Sequence, residues 1–447
     1  MKKTTTTSLA KKMTVSLVCG LAAGLILLFV RESLNSSGSG AAWTMINNLL
    51  FQDITQAGAE SALGIFYIVG QLFIKSLQLV IVPMVFTSIA LAIGQISDAR
   101  TLGRISVKTI GIFLLCSFFA LVLACAVGTV CYNMGLFSAQ VEGLSGAAGS
   151  TGSNPLNVVL NIVPANIATA FSSNTAVLSI VFLAVAVGLC MNALPEEKTE
   201  LLKKLITEVN DVVVVFLNYV VSKFGPVAIF MLLTRTFASY GVNYLKPALA
   251  YVVVTTVLLF LFLLVGYPLF VAVLAKQNPI TFIKKIANVA IFGFSTSSSA
   301  ATLPLNQKTC VEGFGVDETI ASFVLPLGMT INMNGTAIMQ VVATVFIAGC
   351  AGYPVSFPQL VVIALLALIA SAGTPAAPGA GAVILFTILS GVGFTNDAAL
   401  LAYALILAIN RPIEMLVTSL NVVGDAVTSI CVAKSEGKLD ESKYNAQ

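Results

Sequence analysis

Leu325-Pro326-Leu327-Gly328-Met329-Thr330-Ile331-Asn332-Met333-Asn334-Gly335-Thr336-Ala337-Ile338-Met339 is the stretch on which the reading of this chain turns. An apolar helix enters it and the apolar run 341–348 leaves it, yet its middle holds two amides, a hydroxyl, a thioether and a glycine. Unpaired backbone groups are costly in hydrocarbon, so irregular backbone survives there only where it lines a protein cavity. Polar residues at membrane depth are functional candidates for the same reason. An ion and a solute are therefore expected at 332–336.

The surroundings justify the membrane premise. Of 447 residues, 57% are hydrophobic and 9% charged, against roughly 25% charged in soluble domains. Mean hydropathy is +0.97. Apolar stretches at 13–30, 62–96, 105–130 and 248–274 match or exceed the roughly 20 residues that span a bilayer. The chain reads as an all-α polytopic membrane protein. Spans are expected near 13–31, 62–97, 105–134, 157–194, 200–238 and 245–274. The fourth is interrupted by Pro155, Pro164 and several asparagines, and 197–215 starts amphipathic, as a helix at the membrane surface does.

Lysine and arginine set the orientation. Lys2, Lys3, Lys11 and Lys12 precede the first span, and Arg100, Arg104 and Lys108 follow the second. Lys198, Lys203 and Lys204 follow the fourth, Lys276, Lys284 and Lys285 the sixth, and Lys434, Lys438 and Lys443 the last. The loops at 36–40 and 145–154 are almost uncharged. Both termini are expected on the cytoplasmic side of a bacterial inner (plasma) membrane. The net charge of +4 is this bias, with no nucleic-acid partner implied. The first apolar segment lacks a small-residue cleavage motif and runs into Arg31-Glu32, so it reads as a retained helix.

Some chemistries are disfavoured. There is no histidine, which removes the commonest general base and metal ligand. The eight cysteines are scattered in apolar runs without metal-ligand spacing and read as small buried hydrophobes. A phosphate loop with Lys-Ser/Thr is absent. An enzyme is not expected.

The carboxy-terminal half carries two interrupted segments. One, 279–304, has the tip Ser295-Thr296-Ser297-Ser298-Ser299; the other, 358–393, has the tip Ser371-Ala372-Gly373-Thr374-Pro375-Ala376-Ala377-Pro378-Gly379-Ala380-Gly381. Two short, Gly/Pro- or Ser-interrupted segments point to a transporter binding site. A hairpin entering halfway presents helix N–H groups to an anion and unwound carbonyls to a cation. Kinked spanning helices packed on small residues are the alternative.

At these residues the chain resembles the glutamate transporter and neutral amino acid transporter family of dicarboxylate/amino acid:cation symporters. The carriers of the likeness are 297–304 (SSSAATLP), 328–336 (GMTINMNGT), 378–381 (PGAG) and 421–425 (NVVGD), in the family's order over nearly the whole chain. The resemblance implies a homotrimer of subunits with eight transmembrane helices plus two re-entrant helical hairpins, working as an elevator-type transporter. Scaffold helices would occupy 13–97 and 157–238. The transport domain would comprise 105–134 and 245–434, with hairpin 1 at about 277–308, helix 7 at about 315–347, hairpin 2 at about 355–391 and helix 8 at about 395–434.

By the same resemblance, one sodium site takes Gly328, Asn332, Asn421 and Asp425. A second takes carbonyls around Thr330, Ser371, Ala372 and Thr374, with Met333 beside it. Oxygen ligands suit a hard cation, and Asn421 and Asp425 stand i, i+4 on one helix face. A third site of well-studied relatives falls here on Phe113, Cys116, Ser117 and Asn334, where Phe113 lacks a phenol oxygen, Cys116 a hydroxyl and Asn334 a carboxylate. Coupling to about two sodium ions is expected from those losses. For the solute, the resemblance implies a site lined by Ser298, Ser299, Thr336, Ala377, Pro378, Gly381, Glu414, Val417, Thr418 and Asn421. Ser299 and backbone groups of both tips take the carboxylate, Glu414 takes the ammonium, and Thr418 and Asn421 serve the backbone amine and carboxylate. Val417 stands where relatives carrying acidic amino acids have Arg, and Asn410 where they have Asp.

The expected function is thus sodium-coupled symport of a small neutral amino acid. An acidic amino acid or C4-dicarboxylate symporter, sodium- or proton-coupled and using Arg411, is the alternative within the family. Arg411 is otherwise expected to snorkel or to act structurally. Anion-conducting channel activity is the alternative of another class.

Overall fold

A computed structural model describes residues 5–55, 58–94, 99–138, 162–172, 176–241, 245–372, 374 and 380–446. These are helical throughout, apart from turns and one isolated bridge between Val316 and Leu439. The amino-terminal helices are α1 (Thr5–Ser36), α2 (Gly40–Leu50), α3 (Ile65–Leu79), α4 (Ile81–Gly94) and α5 (Ala99–Asn133). They are followed by α6 (Ile167–Phe171), α7 (Val177–Ala193), α8 (Glu196–Tyr219), α9 (Gly225–Tyr240), α10 (Leu245–Leu261) and α11 (Tyr267–Leu274). Wider π turns at Val220–Phe224 and Phe262–Gly266 join α8 to α9 and α10 to α11. Of the expected fourth span, 157–161 and 173–175 lie outside the described residues, and its described helices are the short α6 and α7.

The carboxy-terminal half is more broken. Helices α12 (Pro279–Thr296) and α13 (Ser299–Lys308) form a hairpin that turns at Ser297, whose φ of 50° is left-handed. Next come α14 (Glu318–Ile331) and α15 (Asn334–Ala351), then a second hairpin of α16 (Phe357–Ala372) and α17 (Ala380–Val392). Helices α18 (Asp397–Ile409), α19 (Arg411–Ser435) and the short α20 (Glu441–Asn445) complete the chain. Among the described residues, seven helical stretches are long and apolar enough to cross a membrane: 15–36, 65–91, 104–133, 196–239, 245–274, 318–351 and 411–435.

Two expectations of continuous helix are corrected. The second span breaks at Val80, ahead of Pro83, and the eighth breaks at Asn410, ahead of Pro412. Proline cannot donate within a helix and disfavours helical backbone in the residue before it, so these breaks sit where the ladder is already short of a bond.

Burial sorts the helices. Phe29, Val107, Phe118, Leu201, Val212, Leu249 and Leu269 lie exposed on outer faces. Apolar faces of that extent mark surfaces suited to lipid or to another protein. In α15, every residue from Asn334 to Ala348 is buried. That helix packs against α5, α19, α10, α16 and α18 and forms the centre of the carboxy-terminal half. Helix α1 packs along α9, and α4 packs along α7 and α8. The single tryptophan, Trp43 of α2, stacks on Phe51 with ring centroids 6.0 Å apart.

The residues after α19 fold back. Glu436 binds Arg104 and Lys108 of α5, each at 2.5 Å. Tyr444 is fully buried with its ring tilted against Phe314, which stacks on Phe282 of α12. Lys285 Nζ donates to the carbonyls of Gly313, Lys443 and Tyr444 at 2.8–2.9 Å. The tail is thereby tied to the base of the first hairpin.

Candidate functional site

The polar break is real and it is narrow. Helix α14 stops at Ile331, Asn332 and Met333 leave helical geometry (ψ of 82° and 50°), and α15 starts at Asn334. Pro326, one turn and a half upstream, already weakens α14. The break frees backbone groups and turns three side chains inward in sequence.

On one side lies Asp425 of α19. Asn332 Nδ2 donates to its Oδ1 at 2.9 Å, and none of the ion pairs among the described residues reaches it. Its carboxylate is 3% exposed, so it is a buried acid with one amide partner, a costly state unless a cation joins it. Gly328 makes the approach possible, because a Cβ there would collide with the Asp425 carboxylate. Gly424 does the same for Tyr267, whose hydroxyl lies against the helix.

Asn334 is held from three directions. Its Oδ1 accepts from Ser117 Oγ at 2.6 Å, while its Nδ2 lies 3.1 Å from Tyr267 Oη and 2.9 Å from Asn332 Oδ1. Phe113 and Cys116 are buried on the same stretch of α5, with the Phe113 ring reaching Gly328. The structure therefore brings Phe113, Ser117 and Asn334 into one cluster beside Asp425. Tyr267 is a member that sequence reasoning missed; its signal was a lone phenol before Pro268 in an apolar run.

On the other side lies Asn421. Its Oδ1 accepts from Gly335 N at 2.8 Å, and its Nδ2 lies 3.1 Å from Thr336 Oγ1 and 3.2 Å from Met333 Sδ. A Cβ on Gly335 would sit 2.8 Å from Val417 O, so this glycine allows α15 to touch α19. Thr330 turns its hydroxyl back to Leu327 O, and Ser371 and Thr374 turn theirs to Leu368 O and Ala370 O. Helices α14 and α16 do pack together, while the hydroxyls of the second tip serve their own helix. Ala372 is half-buried beside them.

The second hairpin closes over this core. Gln340 Nε2 donates to Gly381 O at 3.1 Å, and Gly381 lies over Thr336 and Met339. Ala382 N lies 3.3 Å from Glu414 Oε1. Glu414 Oε2 pairs with Arg411 Nη1 at 3.5 Å, and both residues are under a tenth exposed. Arg411 is thus buried and paired with Glu414, the structural arrangement of the two expected for it and not the snorkelling one. Val417 is buried, and Asn410 binds Tyr251 Oη at 2.7 Å and lies 3.7 Å from Met339 Sδ. Gln340 and Tyr251 were missed, and only their polarity within apolar helices could have marked them. At the first tip, Ser298 caps α13 through Ala301 N, Ser299 is buried, and Thr418 donates to Glu414 O. Ala377 and Pro378 lie outside the described residues.

The arrangement is a buried row of neutral donors and acceptors ending in two carboxylates, one paired and one not. Its chemistry suits cations: Asp425 is a buried carboxylate with no ion-pair partner among the described residues, and Glu414 is one that already faces Arg411. Comparison with known proteins yields the following. Residues 9–435 match the family described as Sodium:dicarboxylate symporter family. The chain is 29% identical over 384 residues to the proton/glutamate-aspartate symporter of Escherichia coli, covering 84% of this chain and 86% of that protein. It is 27% identical over 416 residues to the proton/sodium-glutamate symport protein of Bacillus caldotenax, covering 90% and 96%. It is 30% identical over 383 residues to a C4-dicarboxylate transport protein of Rhodopseudomonas palustris (strain BisB5), covering 84% of each.

Proposed function

Because this chain belongs to the sodium:dicarboxylate symporter family, we propose that it is a sodium-coupled secondary active symporter of a small neutral amino acid. The observation that carries the solute class is the charge balance of the solute end. Val417 is buried there without charge, and Arg411, the buried cation of α19 among the described residues, already faces Glu414 at 3.5 Å. That pair sums to zero. A zwitterion keeps the sum at zero, whereas an aspartate or succinate adds buried negative charge with nothing to meet it. Glu414 receives the ammonium; Ser299, the tips of both hairpins and Thr336 receive the carboxylate; Thr418 and Asn421 complete the ring.

Sodium is the second cargo. Asp425 with Asn332, Asn421 and Gly328 makes one site of oxygen ligands suited to a hard cation. Thr330, Met333, Ser371, Ala372 and Thr374 make the second. Asn334, satisfied by Ser117, Tyr267 and Asn332, replaces the third, so coupling is to about two ions. The carboxy-terminal half with α5 moves as a transport domain against a scaffold of α1–α4 and α6–α9 within a homotrimer, both termini cytoplasmic. The hairpins act as gates, by an elevator-type alternation.

A second reading is favoured by the relatives. Several are symporters of glutamate, aspartate or C4-dicarboxylates, and Arg411 has donors to offer an acidic side chain if it leaves Glu414. One screen separates the two: thermal stability of the purified protein with amino acids, in sodium against choline. Sodium-dependent stabilisation by serine, alanine or threonine is expected. Stabilisation by aspartate or succinate alone overturns the neutral-solute reading. Val417→Arg should strengthen aspartate binding by about tenfold or more, as a new charge-assisted pair does.

A further inference from the structure

Arg411 opens α19 with an unusual set of contacts. It is 8% exposed, and Nη1 reaches Glu414 Oε2 only at 3.5 Å. Its Nε and Nη1 find no hydrogen-bond partner among the described residues. A guanidinium offers five donors in a planar fork, and a well-fitted one uses them in short bidentate bonds. This one is held by charge and not by fit. Beside the pair is a cavity of about 30 Å³ walled by Met13 of α1, Phe73 and Leu77 of α3, Val221 and Ile229. The wall facing the pair from the amino-terminal helices is therefore apolar, and the space holds about one water molecule.

We infer that Arg411 is a tethered stand-in for the solute's ammonium: it neutralises Glu414 while the carrier is empty and yields that carboxylate when the amino acid arrives. The inference rests on the ammonium role of Glu414 proposed above. The loose 3.5 Å contact and the orphaned donors suit a partner that must be displaced. The adjoining cavity gives a water room to take the released N–H groups. In both states the pair, with or without a zwitterion, presents no net charge to Met13, Phe73, Leu77, Val221 and Ile229. Without Arg411 the empty carrier would present a lone carboxylate to that apolar wall, the situation in which removal of one partner of a buried pair is most costly. Arg411 thus weakens solute binding by competition and permits the empty carrier to return. It is a positioning residue for Glu414, and no bond to the solute is needed.

The test uses Arg411→Gln in the full chain, reconstituted in lipid vesicles, with L-serine as probe. Serine binding measured by calorimetry should tighten by about tenfold, because a competitor is gone. Sodium-driven net uptake into empty vesicles should fall at least about tenfold relative to exchange against internal serine, because only the unloaded return is blocked. Weaker serine binding overturns the inference by giving the guanidinium to the solute, and an unchanged ratio of net uptake to exchange also overturns it. Arg411→Lys keeps a cation and should keep the wild-type ratio. Should the glutamine variant not fold, a lysine variant with a collapsed ratio overturns the inference. Glu414→Gln isolates the parent reading: serine affinity unchanged in that variant removes the ammonium role itself, whatever Arg411 does.

Discussion

Asn334 engages both ends of its amide within the protein, and that explains why an uncharged residue can stand beside a buried carboxylate. Ser117 donates to its oxygen, and its nitrogen faces the oxygens of Tyr267 and Asn332. Asn334→Asp would remove those two N–H donors and place a second carboxylate near Asp425. In sodium-free medium the variant should be less stable by about 3 kcal/mol, the scale of a buried uncompensated charge. Thermal unfolding in detergent measures this, and high sodium should restore part of the loss; equal stability without sodium would contradict the account. The residue scale was also where the sequence spoke most clearly. A run of amides in an apolar helix has few physical explanations, so Asn332, Asn334 and Asp425 could be picked out unaided or by family likeness. Tyr267 and Gln340 could not, because one phenol or amide in a helix has many uses and its partner lies far along the chain.

At the scale of the element, the helix breaks after α12 and α16 fall where the sequence gathers small and hydroxylated residues, and the first shows why such a turn is needed. Ser297 turns the chain with φ of 50°, a region in which a Cβ is strained. Ser297→Gly should leave the fold intact and raise stability by about 0.5–1 kcal/mol, because the relieved left-handed strain exceeds the added freedom of the unfolded chain. Ser297→Val should lower it by about 1–2 kcal/mol. Chemical denaturation of the two variants checks the order, and a valine variant as stable as the glycine variant would refute a strained turn. Continuous helices were expected at 62–97 and 395–434 but break at Val80 and Asn410. Apolar periodicity runs through both places and hides the break, while Pro83 and Pro412 were the only local signs.

For the molecule as a whole, the last residues act as a clasp between elements distant in sequence. Glu436 joins the start of α5, and Tyr444 joins the base of the first hairpin. In the sequence this tail registered only as positive charge, since its partners lie more than a hundred residues away. Hydrogen bonds from Lys108 and Arg104 hold the Glu436 carboxyl below its usual range. A depressed carboxylate stabilises the fold above its unfolded value, and that contribution is lost as pH falls through the folded value. The wild type should therefore lose stability faster than Glu436→Gln once pH drops below about 4.3. Parallel acid titrations of the unfolding midpoint test this, and superimposable curves would leave Glu436 without an electrostatic role.

The stacking of Trp43 on Phe51 has an optical consequence. This chain carries one indole, and it sits on α2, away from the polar break in α14 and α15. Emission excited in that indole reports on the packing of α2 against Phe51, which packs in turn on Phe66, and none of the residues assigned to the solute site lies on α2. Any shift in that emission on adding amino acid would accordingly be a signal of motion relayed between the two halves of the chain, free of direct quenching by the ligand.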